Sequence, residues 1–242
     1  MIEVNGWLIE NYMRPIFRKK SLVGNMPYFK KEQFPITKDL EEAFPIIRTE
    51  LDVIMKRVKD FAPFHEISPD QLYISNDDKW KMFFLKAGTV EFKKNCKQFP
   101  ETMKVLAKDK NIVSAYFSVL GPNKMLMPHA GPWCGVIRIH LGLIIPKDGD
   151  GCSLVCDNKE YRWEEGECVV FDDTYEHIAV NMTDNNRVVL FLDYMRPLPK
   201  FWSFINWCII KSARLLPYFR IPLKRHKLWE KKFYKNKGID YV

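Results

Sequence analysis

Five histidines occur in the chain, and three of them, His129, His140 and His177, lie in one stretch with Arg187 following ten residues after the last. A neutral imidazole nitrogen is a ligand for first-row transition metals, and a guanidinium fork matches a carboxylate with two parallel hydrogen bonds. Taken singly, each histidine reads as a surface or hydrogen-bonded residue. The order His129, His177, Arg187, with the arginine opening a strongly apolar run, raises the metal-and-anion reading. Arg138 and His140 add to it. In VIRIHLGLII (136–145) they are two residues apart, so on a strand they point the same way, opposite Ile137, Ile139, Leu141, Leu143 and Ile145. Lining a cavity, such a pair suits an anionic ligand; facing solvent, it is an ordinary polar edge. The six cysteines, Cys96, Cys134, Cys152, Cys156, Cys168 and Cys208, have no zinc spacing and no C-x-x-C. They are expected to be reduced thiols of a cytosolic protein.

These residues need a framework, and the chain supplies one in three regions. Residues 1–112 read as mainly helical. Phe44-Pro45 opens a run in which Ile46, Ile47, Leu51, Ile54 and Val58 recur at helical steps, and a second helix is expected from Pro100 to Lys108. Residues 113–199 change character. Eight short β-rich runs, 113–120, 124–128, 136–145, 152–156, 160–164, 168–172, 177–181 and 187–195, alternate with Gly-, Asn- and Asp-rich breaks. Eight short strands at this spacing predict a mainly β fold with flanking helices, built on a double-stranded β-helix (a jelly-roll, cupin-like core). Residues 200–242 are expected to form a basic, aromatic helical extension. In it, Ser203, Asn206, Lys211 and Arg214 mark a narrow polar stripe on a helix over 201–216. With 242 residues, 47% of them hydrophobic, one domain overall is the expectation.

Four motifs, taken together and in order, resemble the aspartyl/asparaginyl β-hydroxylase family of Fe(II)/2-oxoglutarate-dependent dioxygenases, which includes lipid A acyl-chain hydroxylases. They are PHAGP (128–132), RIHLGLIIP (138–146), YRWEEGECVVFDDTYEH (161–177) and NMTDNNRVVLFLDYMRP (181–197). KWKMFFLKAG (79–88) and FPETMKVL (99–106) add weaker similarity upstream. The resemblance implies an enzyme that hydroxylates an unactivated C–H bond using Fe(II), 2-oxoglutarate and O₂. It makes His129 and His177 the iron ligands and Arg187 the partner of the distal carboxylate of 2-oxoglutarate. Arg138, His140 and Ser118 match residues lining the co-substrate and substrate pocket. Gly131 stands where most related dioxygenases carry an iron-binding carboxylate. It cannot coordinate, which agrees with the family's pattern. Asp173, four residues before His177, is placed to accept a hydrogen bond from a metal-bound water, whereas Asp172 reads better as a turn-shaping residue.

The implied substrates are a protein Asp or Asn side chain or a lipid acyl chain. WKMFFLKAG and TDNNRVVLFLDYMRP are closer to the lipid-hydroxylating branch, and His129-Ala130-Gly131-Pro132 to the protein-hydroxylating one. The net charge of +8 is concentrated in residues 200–242, where eleven Lys/Arg face only Glu230 and Asp240. That asymmetry predicts a peripheral contact with an anionic membrane through residues 224–237, or a helix packed on the core with a solvated basic end. No nucleic-acid motif is present. A secretory signal or spanning segment is not expected, so a cytoplasmic protein, soluble or peripheral at a membrane, is predicted. The competing function is a non-catalytic jelly-roll module that tethers an anionic partner through the basic tail.

Overall fold

A computed structural model describes residues 12–88, 90–147, 151–213 and 215–235. Three expected features lie partly outside these residues: Arg214 of the polar stripe, the turn at 148–150, and the basic end from 236 that includes Lys237.

The strands are β1 (Tyr28–Phe29), β2 (Ala62–Pro63), β3 (Trp80–Ala87), β4 (Val90–Glu91), β5 (Ile112–Leu120), β6 (Lys124–Met125), β7 (Val136–Ile144), β8 (Cys152–Cys156), β9 (Lys159–Arg162), β10 (Cys168–Phe171), β11 (His177–Asn181) and β12 (Arg187–Met195). The helices are α1 (Arg14–Lys20), α2 (Ile36–Glu42), α3 (Phe44–Met55), α4 (Phe64–Ile67), α5 (Lys93–Cys96), α6 (Pro100–Leu106), α7 (Lys200–Ala213) and α8 (Pro217–Lys235). Among the described residues, a major sheet runs β1-β10-β7-β12-β5-β3-β2 with β4 paired to β3, and a minor sheet runs β6-β11-β8-β9. All pairings are antiparallel. All eight expected β runs are strands, shared between the two sheets in the jelly-roll arrangement.

Alternation in the strands separates two apolar layers. Ile137, Ile139, Leu141 and Leu143 of β7 pack with Val188, Leu190 and Leu192 of β12 against Ile47, Leu51 and Ile54 of α3, outside the major sheet. The opposite faces meet between the sheets, where Leu154, Cys156 and Ala179 of the minor sheet contact Tyr116, Val169, Phe171 and Val189 of the major one. The functional side chains project into this inner space. The Glu50 carboxylate of α3 accepts from the backbone N–H of Glu101 (2.8 Å) and Thr102 (2.9 Å), capping α6 and locking it to α3.

Two expectations need correcting. Residues 1–112 are not only helical, because β3 lies within them and pairs with β5 along its length. A run of eight residues this rich in apolar side chains is too short for periodicity to distinguish strand from buried helix. The open edge of β5 decides it, placing Trp80 and Met82 inward and Phe83 and Leu85 outward. The second correction concerns α7. Its polar Asn206 is fully buried, while Phe201, Phe204 and Trp207 are exposed at 65%, 59% and 42%. Asn206 faces inward because it closes two hydrogen bonds, donating to Gly135 O (2.7 Å) and accepting from Trp133 Nε1 (3.0 Å). A Cβ at Gly135 would collide with the Asn206 amide oxygen, so glycine permits the approach. In α8, Trp229 and Phe233 pack on Phe83 and Phe61 of the core, leaving Lys231, Lys232 and Lys235 exposed. The aromatic part of 224–237 is thus occupied by the core.

Candidate active site

The two histidines singled out by their order are brought together by an isolated antiparallel bridge. His129 N–H donates to His177 O (3.1 Å) and His177 N–H to His129 O (2.9 Å). The rings lie with centroids 4.2 Å apart. Met127 O accepts at His129 Nδ1 (2.7 Å) and Tyr175 O at His177 Nδ1 (3.0 Å). A carbonyl can only accept, so both Nδ1 atoms carry the proton and both Nε2 atoms keep a lone pair. That is the tautomer needed for metal ligation, fixed by the backbone. Burial, with the neighbouring His177, pushes the His129 imidazolium down to about 4; burial lowers His177 as well. Both rings are therefore neutral near pH 7.

Beside them, Gly131 and Asp173 are fitted to one another. Gly131 N–H donates to Asp173 O (2.7 Å). A Cβ at Gly131 would overlap the Asp173 carboxylate, whose Oδ1 would lie only 2.6 Å away. The carboxylate of Asp173 thus fills the space that a side chain at 131 would take. Arg138 holds it there, through Nε (2.9 Å) and Nη2 (2.7 Å) on Oδ2, and also pairs with Asp193. Asp173 Oδ1 is buried without a hydrogen-bond partner.

The last strand supplies a buried cation. Arg187 is 2% exposed, its guanidinium stacked 4.5 Å above the Trp163 ring. Its Nε and Nη1 have no hydrogen-bond partner, nor has Trp163 Nε1. Burial pulls its pKa down to about 10. An unmatched buried guanidinium is costly, and a carboxylate is the ligand that relieves it. His140 lies between the two arginines, 5% exposed, with neither ring nitrogen bonded. Burial, then the charge of Arg187, holds it well below the usual histidine range. Phe171 separates it from His177, at 5.0 and 5.7 Å between ring centroids. Ser118 faces the same interior, accepting from Trp80 Nε1 (3.1 Å).

His129, His177, Asp173, Arg138, His140 and Arg187 are therefore joined by successive contacts in the interior between the two sheets, through Phe171 and Trp163, with Ser118 on the same side. Asp172 is separate: it is buried in an ion pair with Arg196 and accepts from Thr174 N (3.0 Å), shaping the turn. Of the other histidines, His65 binds Asp77 O (3.1 Å) and His226, on the inner face of α8, is packed among aromatic rings. Trp163, Phe191 and Asp193 also belong to the cavity and were not singled out from sequence. Register pairs His140 with Phe191 and Arg138 with Asp193. Two-residue alternation counted from Arg187 reaches both Phe191 and Asp193, so that signal was present. Trp163 lies just beyond β9, and no pattern marks it.

Among the described residues no group of three or more His, Cys, Asp or Glu side chains has metal-binding geometry. The donor set is the imidazole pair. The orphaned atoms around it, Asp173 Oδ1, Arg187 Nε and Nη1 and the His140 nitrogens, fit an iron ion with its water and a bound diacid, which would satisfy them.

The family model described as aspartyl/asparaginyl beta-hydroxylase matches residues 41–197, which contain every residue of this cavity. The ornithine lipid ester-linked acyl 2-hydroxylase of Rhizobium tropici is 40% identical over 216 residues, covering 89% of this chain and 77% of its own. The aspartyl/asparaginyl beta-hydroxylase of Mus musculus is 29% identical over 167 residues, 67% of this chain but 22% of its own. Aspartate beta-hydroxylase domain-containing protein 2 of Xenopus tropicalis is 31% identical over 185 residues, 71% of this chain and 48% of its own. The chain thus spans less than half the length of these two animal relatives.

Proposed function

The chain belongs to the aspartyl/asparaginyl β-hydroxylase family, and on that premise we propose that its cavity hydroxylates an unactivated C–H bond with Fe(II), 2-oxoglutarate and O₂. His129 and His177 would hold the iron through Nε2. Iron with 2-oxoglutarate supplies the oxidising power to insert one oxygen atom into the substrate. The chain's own contribution is binding and orientation. Arg187 grips the far carboxylate of the diacid with its two unpartnered N–H groups. Trp163 holds the guanidinium flat, and Arg138 fixes Asp173 so that its free Oδ1 can accept from a metal-bound water. Neutral His140 and the Ser118 hydroxyl line the wall between. The observation that carries this reading is the convergence, between the two sheets, of two backbone-oriented imidazoles and a buried arginine with two unpartnered donors.

For the substrate we propose a lipid acyl chain rather than a protein Asp or Asn side chain. Support comes from the rhizobial relative, which is named for an ester-linked acyl chain and aligns with most of both proteins. We place the enzyme in the cytoplasm, peripheral at an anionic membrane, with the lysines of 224–237 adding attraction. The six free cysteines, at home in a reducing compartment, support that location. The test is 2-oxoglutarate consumption by the iron-loaded protein, with mass spectrometry of lipid and peptide fractions from cells with and without it. The expected result is consumption that His129→Ala and His177→Ala each abolish without loss of fold, and one added oxygen in a lipid. An oxidised Asp- or Asn-containing peptide with unchanged lipids would reject the substrate. Full turnover by either histidine variant would reject the site.

A further inference from the structure

We infer that α7 is a docking surface for an anionic lipid bilayer, lying along it with Phe201, Phe204 and Trp207 inserted at the headgroup level. The inference stands on the fold and does not depend on the hydroxylase reading. The helix has 14 residues, about 21 Å at the α-helical rise. It is fastened from one side. Trp202 packs with Phe17, Trp133 and Leu198, and Asn206 bonds Gly135 and Trp133. Seen down the axis, Phe201, Phe204 and Trp207 fall on the opposite side, and they are the exposed ones. A helix that buries its amide and turns three large aromatic side chains outward is packed contrary to what water alone would select.

The exposed apolar surface extends past the helix. Leu215 and Leu216 in the following turn are 68% and 40% exposed, and Ile221 on α8 is 46% exposed. It also leads toward the iron ligands. Trp133, which holds Asn206, follows Pro132, and the segment 127–132 that carries His129 leaves Met127, Pro128, Ala130 and Pro132 exposed.

Charge decides what covers this face. No Asp or Glu occurs between Asp193 and Glu230, whereas Lys200, Lys211, Arg220, Lys224, Arg225 and Lys227 do. The Lys211 ammonium lies 3.9 Å above the Trp207 ring, the arrangement of a lysine that extends along an aromatic side chain to reach a polar boundary. Beside α1, whose Phe17 packs on Trp202 of α7, a cleft of about 470 Å³ is lined by Arg14, Pro15, Arg18, Lys19 and Asn25. A hydrophobic partner protein would require the stripe alone. Exposed aromatic side chains on a stretch of chain that carries cations and no acids match the interface of an anionic bilayer. The helix lies on the membrane rather than crossing it, since among the described residues no helix is long and apolar enough to span one.

The test is sedimentation of the purified full-length chain with vesicles of phosphatidylcholine, with and without phosphatidylglycerol, at low and high salt. The wild type is expected to pellet with the anionic vesicles and to be released by salt. Phe201→Ser/Phe204→Ser/Trp207→Ser is expected to lower partitioning about tenfold or more, with unchanged thermal unfolding and hydrodynamic size. Lys211→Glu should weaken binding at low salt only. Brominated lipids should quench Trp fluorescence of the wild type more than of Trp207→Phe. Equal pelleting by the triple variant, or no pelleting of the wild type with any vesicle, overturns the inference. So does a wild-type dimer that the triple variant breaks, which would assign the face to a second copy. Vesicle binding needs neither iron nor 2-oxoglutarate. A chain that consumes 2-oxoglutarate without binding vesicles therefore refutes the surface alone, and one that binds without consuming refutes the activity alone.

Discussion

Adding one methyl group at Gly131 tests the geometry of the cavity directly. The Cβ of Gly131→Ala would overlap Asp173 Oδ2 and Cγ, so the carboxylate has to move. It is 3% exposed and held by two contacts from Arg138, at 2.9 and 2.7 Å, so it cannot move without loosening them. Moving it separates a buried ion pair and leaves Asp193 as the one carboxylate paired with Arg138 among the described residues. Breaking such a pair costs about 3–5 kcal/mol. For a chain of this size, that corresponds to a fall in melting temperature of roughly 6–20 °C. The assay is urea or thermal unfolding of wild type, Gly131→Ala, Asp173→Gly and the double variant. If the two residues compete for one volume, the double variant should lose much less than the sum of the single losses. In 2-oxoglutarate turnover both single variants should be impaired, because the water acceptor is displaced in one and absent in the other. A Gly131→Ala protein within about 0.5 kcal/mol of wild type, the usual size of a neutral surface change, would refute the reasoning.

Other perturbations follow from the same cavity and its surroundings. Arg187→Lys replaces a two-pronged donor with a point charge and removes the stacking on Trp163. The Michaelis constant for 2-oxoglutarate should rise by a factor corresponding to about 1.5–3 kcal/mol, and an unchanged constant would assign the diacid to another cation. Arg138 is a poor substitute because Asp173 and Asp193 already hold it. Buried among Phe84, Phe92 and Trp229, His226 has its pKa lowered to about 3 by burial. The unfolded chain therefore binds a proton that the native state refuses between pH ~6.5 and 3, and stability should fall with pH across that window by up to ~1.4 kcal/mol per unit. His226→Phe, which replaces two unpartnered nitrogens with carbon, should flatten this dependence in pH-dependent urea melts. Asn206→Leu should detach α7, read as faster proteolysis after residue 197 with retained β-sheet circular dichroism.

The β core was legible because its signal is local. Strict alternation in 136–145 fixes which side chains share a face, whatever the rest of the chain does. The turn residues between the eight runs set the strand lengths. His129, His177 and Arg187 could be chosen by type, order and strand position, and two-residue periodicity placed Arg138 beside His140. What sequence could not fix depends on contacts between distant segments. Whether 80–87 is strand or helix was decided by the open edge of β5. The occupation of the Gly131 space by Asp173 depends on two loops meeting at 2.7 Å, which no spacing encodes. The inward turn of Asn206, against the rest of the polar stripe on α7, has the same kind of reason. Amphipathicity assumes that polar side chains seek water, but Asn206 finds a carbonyl and an indole N–H inside the protein. Those two bonds, available only once Trp133 and Gly135 are folded against the helix, turn its aromatic face outward.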